Sequence, residues 1–521
     1  MTEAAGGGTT VGEPDTADLA DQLRAVMAID PSAPFLQFEG RWSTWGDLAA
    51  SVDSVDALLS GAGLGAAAPI GIVLRNRPET LAALIAVLAT RRAVVTLNPA
   101  QPDNVLAADI ERQRLPAVIA CGSDWAREPL VDAARASGAM AIQMAAPPAD
   151  PATTLAGLDR PGDGEHHEPL PGVAIEMLTS GTTGPAKRVP LLYRRIEAAI
   201  AATAHYQQNA GALTLKRGVG ILWSPLVHIS GLWAAITSAG DGRKIALLER
   251  FKVDAWVELV REHRPRIVGL PPAAVRMVLD ANVPADVLES VKAVRVGTAP
   301  LSPELADEFY GVYGIPLLVV YGATEFAGAV AGWTLPDFQE FGTSKRGSVG
   351  RAHPGIELRI LDREDEHVLG PGEVGVLEVK GGQVGEHWVR TTDLGRIDAD
   401  GFLWVVGRAD DVIIRGGYKV STTLVAESLR SHPAVKDAGV IGIADARLGQ
   451  VPVAAVELVE NPGGDDTSEA GLQAWLRERL TPYQVPVQIK VVEALPRTDS
   501  MKVSQPRVRE LFEEPSTAGR S

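Results

Sequence analysis

The stretch Leu178-Thr-Ser-Gly-Thr-Thr-Gly-Pro-Ala-Lys-Arg-Val-Pro190 gathers groups that can hold an anion. Gly181 and Gly184 let the backbone turn its N–H groups toward a ligand. The hydroxyls of Thr179, Ser180, Thr182 and Thr183 add donors, and Lys187 brings a mobile point charge. The stretch follows an apolar run, residues 173–178, that reads as a strand. This is the chemistry of a phosphate cradle. It is not the Gly-x-x-x-x-Gly-Lys-[Ser/Thr] loop, because no Gly-Lys-[Ser/Thr] follows at the required spacing. A flexible Ser/Thr/Gly linker is the bland alternative, but a linker rarely follows an apolar strand directly and ends in a lysine. Other chemistries fit worse. The nine histidines form no His-Glu-x-x-His set, and a zinc ion at His166-His167 would need ligands from elsewhere. No Gly-x-Ser-x-Gly elbow and no helix-opening Gly-x-Gly-x-x-Gly occurs.

Further segments stand in a fixed order after the loop. They are Pro225-Leu-Val-His-Ile-Ser-Gly231, Gly297-Thr-Ala-Pro-Leu301, Tyr321-Gly-Ala-Thr-Glu325, Trp388-Val-Arg-Thr-Thr-Asp393, Gly407-Arg-Ala-Asp-Asp411 with Arg415-Gly-Gly-Tyr-Lys-Val420, and Leu495-Pro-Arg-Thr-Asp-Ser-Met-Lys502. Together with the loop they resemble the motifs of the adenylate-forming (ANL) superfamily. That group includes acyl-CoA synthetases, peptide-synthetase adenylation domains and beetle luciferases. The likeness is to the acyl-CoA synthetase type.

The resemblance implies ATP- and Mg²⁺-dependent activation of a carboxylic acid as an acyl-adenylate, then thioester formation with coenzyme A. Such chemistry brings two anions together, so cations and oriented donors must offset their repulsion. By resemblance, Thr179, Ser180, Gly181, Thr182, Thr183, Gly184 and Lys187 hold the β- and γ-phosphates. Gly297, Thr298, Ala299 and Pro300 lie against adenine, on which Tyr321 stacks beside Gly322. Thr324 contacts the α-phosphate, Glu325 helps hold Mg²⁺, and Asp393 and Arg408 hold the ribose hydroxyls. Lys502 bridges the carboxylate and the α-phosphate as the catalytic lysine. His228 borders the acyl pocket, where it either gates the pocket, touches the acyl carbonyl or is a partly buried structural histidine. Asp410 stands at a hinge, with Gly416 and Gly417 in a loop that swings toward a thiol arm; a plain turn is the other reading of that segment.

Several positions depart from the resembled pattern. Ala186 and Arg188 replace a proline and a glycine, Ala352 takes the proline position where Gly347-Ser-Val-Gly350 is usually followed by x-Pro, and Thr392 replaces the glycine before Asp393. Ile414 replaces a frequent lysine, which Lys419 partly compensates, and Met501 replaces the glycine before Lys502. No carboxylate occurs in Leu226-Val-His-Ile229 to pair with an amino-acid ammonium. Apolar and small neighbours (Ile229, Gly231, Leu232, Trp233, Ala327, Gly328 and Ala329) suggest an aliphatic or aromatic acid, with Phe326 shortening the pocket. No carrier segment follows the ligase-like region, so free coenzyme A is the expected acceptor. A separate carrier protein, a homodimeric state and a degenerate nucleotide- or acyl-binding sensor stay open.

The elements that must position these residues follow an α/β pattern. From residue 18 to about 144, short apolar runs such as Pro69-Ile-Gly-Ile-Val-Leu74 and Ala93-Val-Val-Thr-Leu97 alternate with helical segments, the clearest over residues 80–90. A Pro/Ala/Asp/Gly-rich stretch, residues 145–171, reads as a surface connection. Alternation resumes after it, with helices expected over 195–208 and 253–264 and one opening at Ser302-Pro303-Glu304. Residues 342–406 read as a small β subdomain. The expected organisation is a disordered tail (1–17), a large domain of stacked α/β subdomains plus that β subdomain (18–409), and a small mobile α+β domain (410–521). A loop at 461–467 precedes an amphipathic helix with Leu472, Trp475, Leu476 and Leu480 on one face.

Composition bounds the rest. Of 521 residues, 49 are Lys or Arg and 65 Asp or Glu, a net charge of −16 that argues against nucleic acid and anionic membrane surfaces as partners. One cysteine, Cys121, excludes a disulfide framework and suggests a reducing cytoplasm. No apolar run approaches the roughly 20 residues that span a bilayer. Among only eleven lysines the first is Lys187 and the last is Lys502.

Overall fold

Residues 78–89, PETLAALIAVLA, form a helix because proline opens its first turn and no later residue breaks it. It is apolar around most of its circumference and buried along nearly its whole length, as such a helix must be. Beside it lies a seven-stranded sheet with strand order Thr153–Thr154, Met140–Met144, Ala117–Cys121, Pro69–Val73, Ala93–Leu97, Val173–Thr179, Lys187–Leu192. The inner strands run parallel and the two edge pairings antiparallel. Three inner strands, PIGIV, AVVTL and AVIAC, are buried at every position, as parallel strands covered on both faces require.

The structure is a computed structural model that describes residues 18–145, 151–179, 187–204, 213–408, 412–415, 418–445, 447–460, 466–498 and 501–513. The expected tail (1–17), phosphate-loop residues 180–186, Asp410, Gly416, Gly417 and most of the 461–467 loop lie outside the described residues. A four-stranded sheet (Val219–Leu222, Lys244–Leu247, Pro34–Phe38, Arg41–Thr44) and a five-stranded sheet (Ile267–Gly269, Ala293–Val296, Leu317–Ala323, Gly328–Gly332, Arg351–Ala352) complete the α/β part. Strands Ile356–Leu361, Gly375–Gly381, Gly385–Ile397 and Leu403–Arg408 then form an antiparallel β subdomain. The C-terminal α+β unit has its own sheet and its own core around Val425, Leu429, Val440, Val456, Leu472 and Leu476.

The helix opening at Pro303 forms as expected, with Ser302 Oγ accepting from Leu305 N at 3.2 Å. Several elements differ from expectation. The chain leaves the loop as a strand, Lys187–Leu192, paired antiparallel with Val173–Thr179, so Thr179 and Lys187 face each other across the loop's base. The 145–171 connection is more than a surface crossing: Leu158 is buried in the sheet's core, and His167 Nε2 lies 2.9 Å from the Glu176 carboxylate. Arg188 donates to Thr96 O at 2.9 Å and to Asp109 at 2.8 Å, pinning that strand to its sheet. Leu480 falls beyond the helix Glu469–Arg477. Cys121 is buried, and burial with nearby Glu79 and Asp124 pushes its thiol up to about 12, a chemically quiet group.

Asn76 joins the first two α/β sheets. Its amide nitrogen donates to Trp223 O, Ser224 O and Leu248 O at 2.9, 3.0 and 3.2 Å, and its oxygen accepts from Leu226 N at 2.8 Å. These bonds fix the backbone that leads to His228. Truncating Asn76 to Ala leaves those buried groups unmatched, so Asn76→Ala is expected to destabilise folding by roughly 2–4 kcal/mol in urea denaturation. A loss under about 0.5 kcal/mol would show that water replaces the amide without cost.

Candidate active site

The large domain places its cleft residues at the carboxyl ends of parallel strands. Gly297-Thr-Ala-Pro300 follows strand Ala293–Val296, and Tyr321 to Thr324 closes strand Leu317–Ala323 and enters the short turn Thr324–Phe326. Such strand ends are where open α/β sheets bind ligands. Thr298 has φ +71°, a left-handed conformation uncommon for a β-branched residue, at the bend of the adenine-side loop.

The β subdomain supplies an acid and a guanidinium. Asp393 and Arg408 are direct partners across strands Gly385–Ile397 and Leu403–Arg408. Tyr321 Oη donates to the Asp393 carboxylate, bridging the two subdomains. Burial, with the neighbouring Asp393 charge, pushes the Tyr321 phenol well above its ordinary pKa, so it remains a donor at all physiological pH. Thr391 Oγ1 accepts from Asp393 N at 3.0 Å and donates to Leu377 O at 2.8 Å, which sets the local backbone. Thr392, the departure beside Asp393, accepts from Arg408 Nη2 at 2.7 Å and so orients the guanidinium.

The small domain closes the cleft. Lys502 ends a tight turn in which Thr498 N donates to Lys502 O at 2.7 Å and Lys502 N donates to Thr498 Oγ1 at 3.2 Å. The residue is exposed at the rim of the cleft, and desolvation of its ammonium with the nearby Arg408 charge holds its pKa below the ordinary lysine value, with Asp393 opposing. Lys502 and the Asp393–Arg408 pair line one space of about 2820 Å³, which Tyr321, Thr324, Glu325 and Thr298 also line. Glu325 is exposed there. An exposed carboxylate at this edge suits a hard divalent cation such as Mg²⁺.

On the acyl side, His228 stands at the N-cap of helix Ile229–Gly240, and both His228 and Ile229 line the cleft. Gly231 is required: an added Cβ would lie 2.2 Å from Pro225 O. Phe326 departs from expectation. It does not shorten the cleft but is buried with Val330, Ile356 and Leu377 in the β subdomain core, and Leu232 and Ala327 are likewise core.

The structure thus gathers His228, Thr298, Tyr321, Thr324, Glu325, Asp393, Arg408 and Lys502 around one space. Gly297, Ala299, Pro300 and Gly322 lie in the same strand-end segments, and Thr179 and Lys187 have described backbone at the base of the phosphate loop. Asn76 and Thr391 support these groups without standing out in the sequence, because each acts through a nonlocal hydrogen bond.

The chain matches the AMP-binding enzyme family over residues 23–387 and the AMP-binding enzyme C-terminal domain over residues 425–502. It is 29% identical over 523 residues to an indoleacetate–CoA ligase of Aromatoleum aromaticum, covering 95% of this chain and 98% of that protein. It is 34% identical over 362 residues to a 2-succinylbenzoate–CoA ligase of Geobacillus kaustophilus, covering 66% of this chain and 70% of that one. Among solved structures, O-succinylbenzoate coenzyme A synthetase of Bacillus subtilis, in complex with ATP and magnesium ion, aligns with TM-score 0.75 at 25% identity, covering 94% of this chain and 99% of that one. No helix among the described residues is long and apolar enough to cross a membrane.

Tyr321→Phe keeps the ring but deprives Asp393 of its donor. The variant is expected to lose roughly 1.5–3 kcal/mol of stability and to bind ATP more weakly in calorimetry. Unchanged stability together with unchanged ATP affinity would remove the Tyr321–Asp393 bond from the account.

Proposed function

The chain belongs to the AMP-binding enzyme family, and from that premise we propose that it is an ATP-dependent acid–CoA ligase. A substrate carboxylate oxygen attacks the α-phosphorus of ATP, pyrophosphate departs, and the acyl-adenylate passes its acyl group to the thiol of coenzyme A, releasing AMP. The observation that carries this reading is the position of Lys502, brought by the C-terminal unit to the strand-end cleft that Asp393 and Arg408 also line.

The residue roles follow from charge and reach. Lys502, a compact ammonium on a flexible stem, neutralises the carboxylate and α-phosphate as they approach. Asp393 accepts from the ribose hydroxyls, with Arg408 beside it, oriented by Thr392. Tyr321 offers its ring to adenine while its hydroxyl holds Asp393. Thr324 donates toward the α-phosphate. Residues 179–184 and Lys187 take the β- and γ-phosphates, and residues 297–300 lie against the base. Glu325 would hold Mg²⁺, which, when bound, offsets charge on the phosphate oxygens. Gly416 and Gly417 lie in the stretch that admits the thiol arm, and the two domains divide at 409/410. Free coenzyme A is the acceptor, ahead of a carrier protein, and the cytoplasm the expected location.

The acid is one with an apolar body. His228 and Ile229 line the acyl side, and the Trp233 ring lies 3.8 Å from the position a Gly328 Cβ would take. Two of the relatives act on acids that carry an aromatic ring, indoleacetate and 2-succinylbenzoate, which supports an aryl or arylalkyl substrate.

The test is ATP-dependent pyrophosphate release over a panel of carboxylic acids, with and without coenzyme A. Release is expected with at least one aryl-bearing acid, and acyl-CoA only when the thiol is present. Clear ATP binding without turnover of any acid would support a sensor instead. Lys502→Ala is expected to lower adenylate formation by at least about 100-fold while supplied acyl-adenylate still reacts with coenzyme A. Equal survival of both half-reactions would contradict the role given to Lys502.

A further inference from the structure

Met501 precedes Lys502 and adopts φ +63°, the left-handed region that a residue with a Cβ occupies only at a cost. Its backbone is held by the small domain: Met501 N donates to Thr498 O at 2.8 Å, and Met501 O accepts from Arg497 Nη1 at 3.2 Å. Arg497 is itself anchored, donating to Asp437 at 2.7 Å and pairing with Glu457 at 3.6 Å. The Met501 side chain goes the other way. It is half-buried against the apolar core of the large domain's five-stranded subdomain, on which Leu301 and Leu305 also pack. A second tie crosses the same divide, from Lys436 Nζ to Asp280 at 3.3 Å.

We infer that Met501 is a positioning residue for adenylation: its thioether arm docks the Lys502 turn onto the large domain and so holds the ammonium in the cleft. This rests on the acid–CoA ligase reading and adds to it a contact that favours one of the two half-reactions. A flexible, unbranched side chain suits a contact that must form and release as the domains move. Thioester formation, in which Lys502 has no part, does not depend on that contact.

Backbone strain and side-chain docking make opposite demands at this position. Glycine relieves the left-handed φ, so a residue that is only strained there would gain stability and keep full activity on Met501→Gly. Docking requires the reverse. Met501→Gly is expected to slow acid-dependent pyrophosphate release about tenfold, with conversion of supplied acyl-adenylate by coenzyme A within about twofold of the parent. Met501→Leu, which restores an apolar arm, is expected to recover adenylation to within about threefold. Thermal melting of each variant separates docking from misfolding. Adenylation at the parent rate in Met501→Gly, equal loss of both half-reactions, or failure of Met501→Leu to rescue would each overturn the inference. A parent protein that releases no pyrophosphate with any acid would instead overturn the ligase reading on which it rests.

Discussion

A carboxylate and a triphosphate repel each other, and two like unit charges about 4 Å apart repel by about 4 kcal/mol at an effective dielectric near 20. A site that joins them must deliver positive charge to the point of contact and keep it there. In the proposed reaction that requirement falls on Lys502, which is remote in sequence from Tyr321, Asp393 and Arg408 yet lines the same cleft. The net charge of −16 is no obstacle, because placed cations and oriented donors decide local binding.

The arrangement is layered. Parallel strands end at the cleft and present residues 297–300 and 321–324. The antiparallel subdomain sets Asp393 opposite Arg408 by strand register, and Tyr321 ties that subdomain to the parallel sheet with one charge-assisted hydrogen bond. The small domain then adds Lys502 from a turn stiffened by Thr498 and Arg497. The C-terminal unit has its own core, whereas the β subdomain shares one with the five-stranded sheet through Phe326, Val330 and Ala331.

Much of this was legible in the sequence. The ordered motifs named residues that the fold gathers around one cleft, Ser302-Pro303-Glu304 announced a helix that forms as read, and the alternation of residues 69–97 marked buried parallel strands. What stayed hidden depends on contacts between distant residues. The strand carrying Asp393, GEHWVRTTDLGRI, has weak alternation because one long strand serves both sheet and cleft. Asn76 looks like an ordinary loop residue until its four bonds to residues near 223–226 and 248 are seen. Phe326 reads as a pocket residue by its place after Glu325, yet the turn sends it into the core. The departures at Thr392, Arg188 and Met501 look like erosion in sequence, and in space each has found a partner.

In the proposed reaction the acid attacks the α-phosphorus, and the fate of one oxygen atom reveals whether it does. With an accepted acid labelled with ¹⁸O in its carboxylate and run to completion with ATP and coenzyme A, the bridging oxygen of the adenylate leaves with the nucleotide. The account therefore requires ¹⁸O in AMP and none in pyrophosphate. Label in inorganic phosphate, with ADP as the nucleotide product, would mean attack at the terminal phosphate and would contradict it.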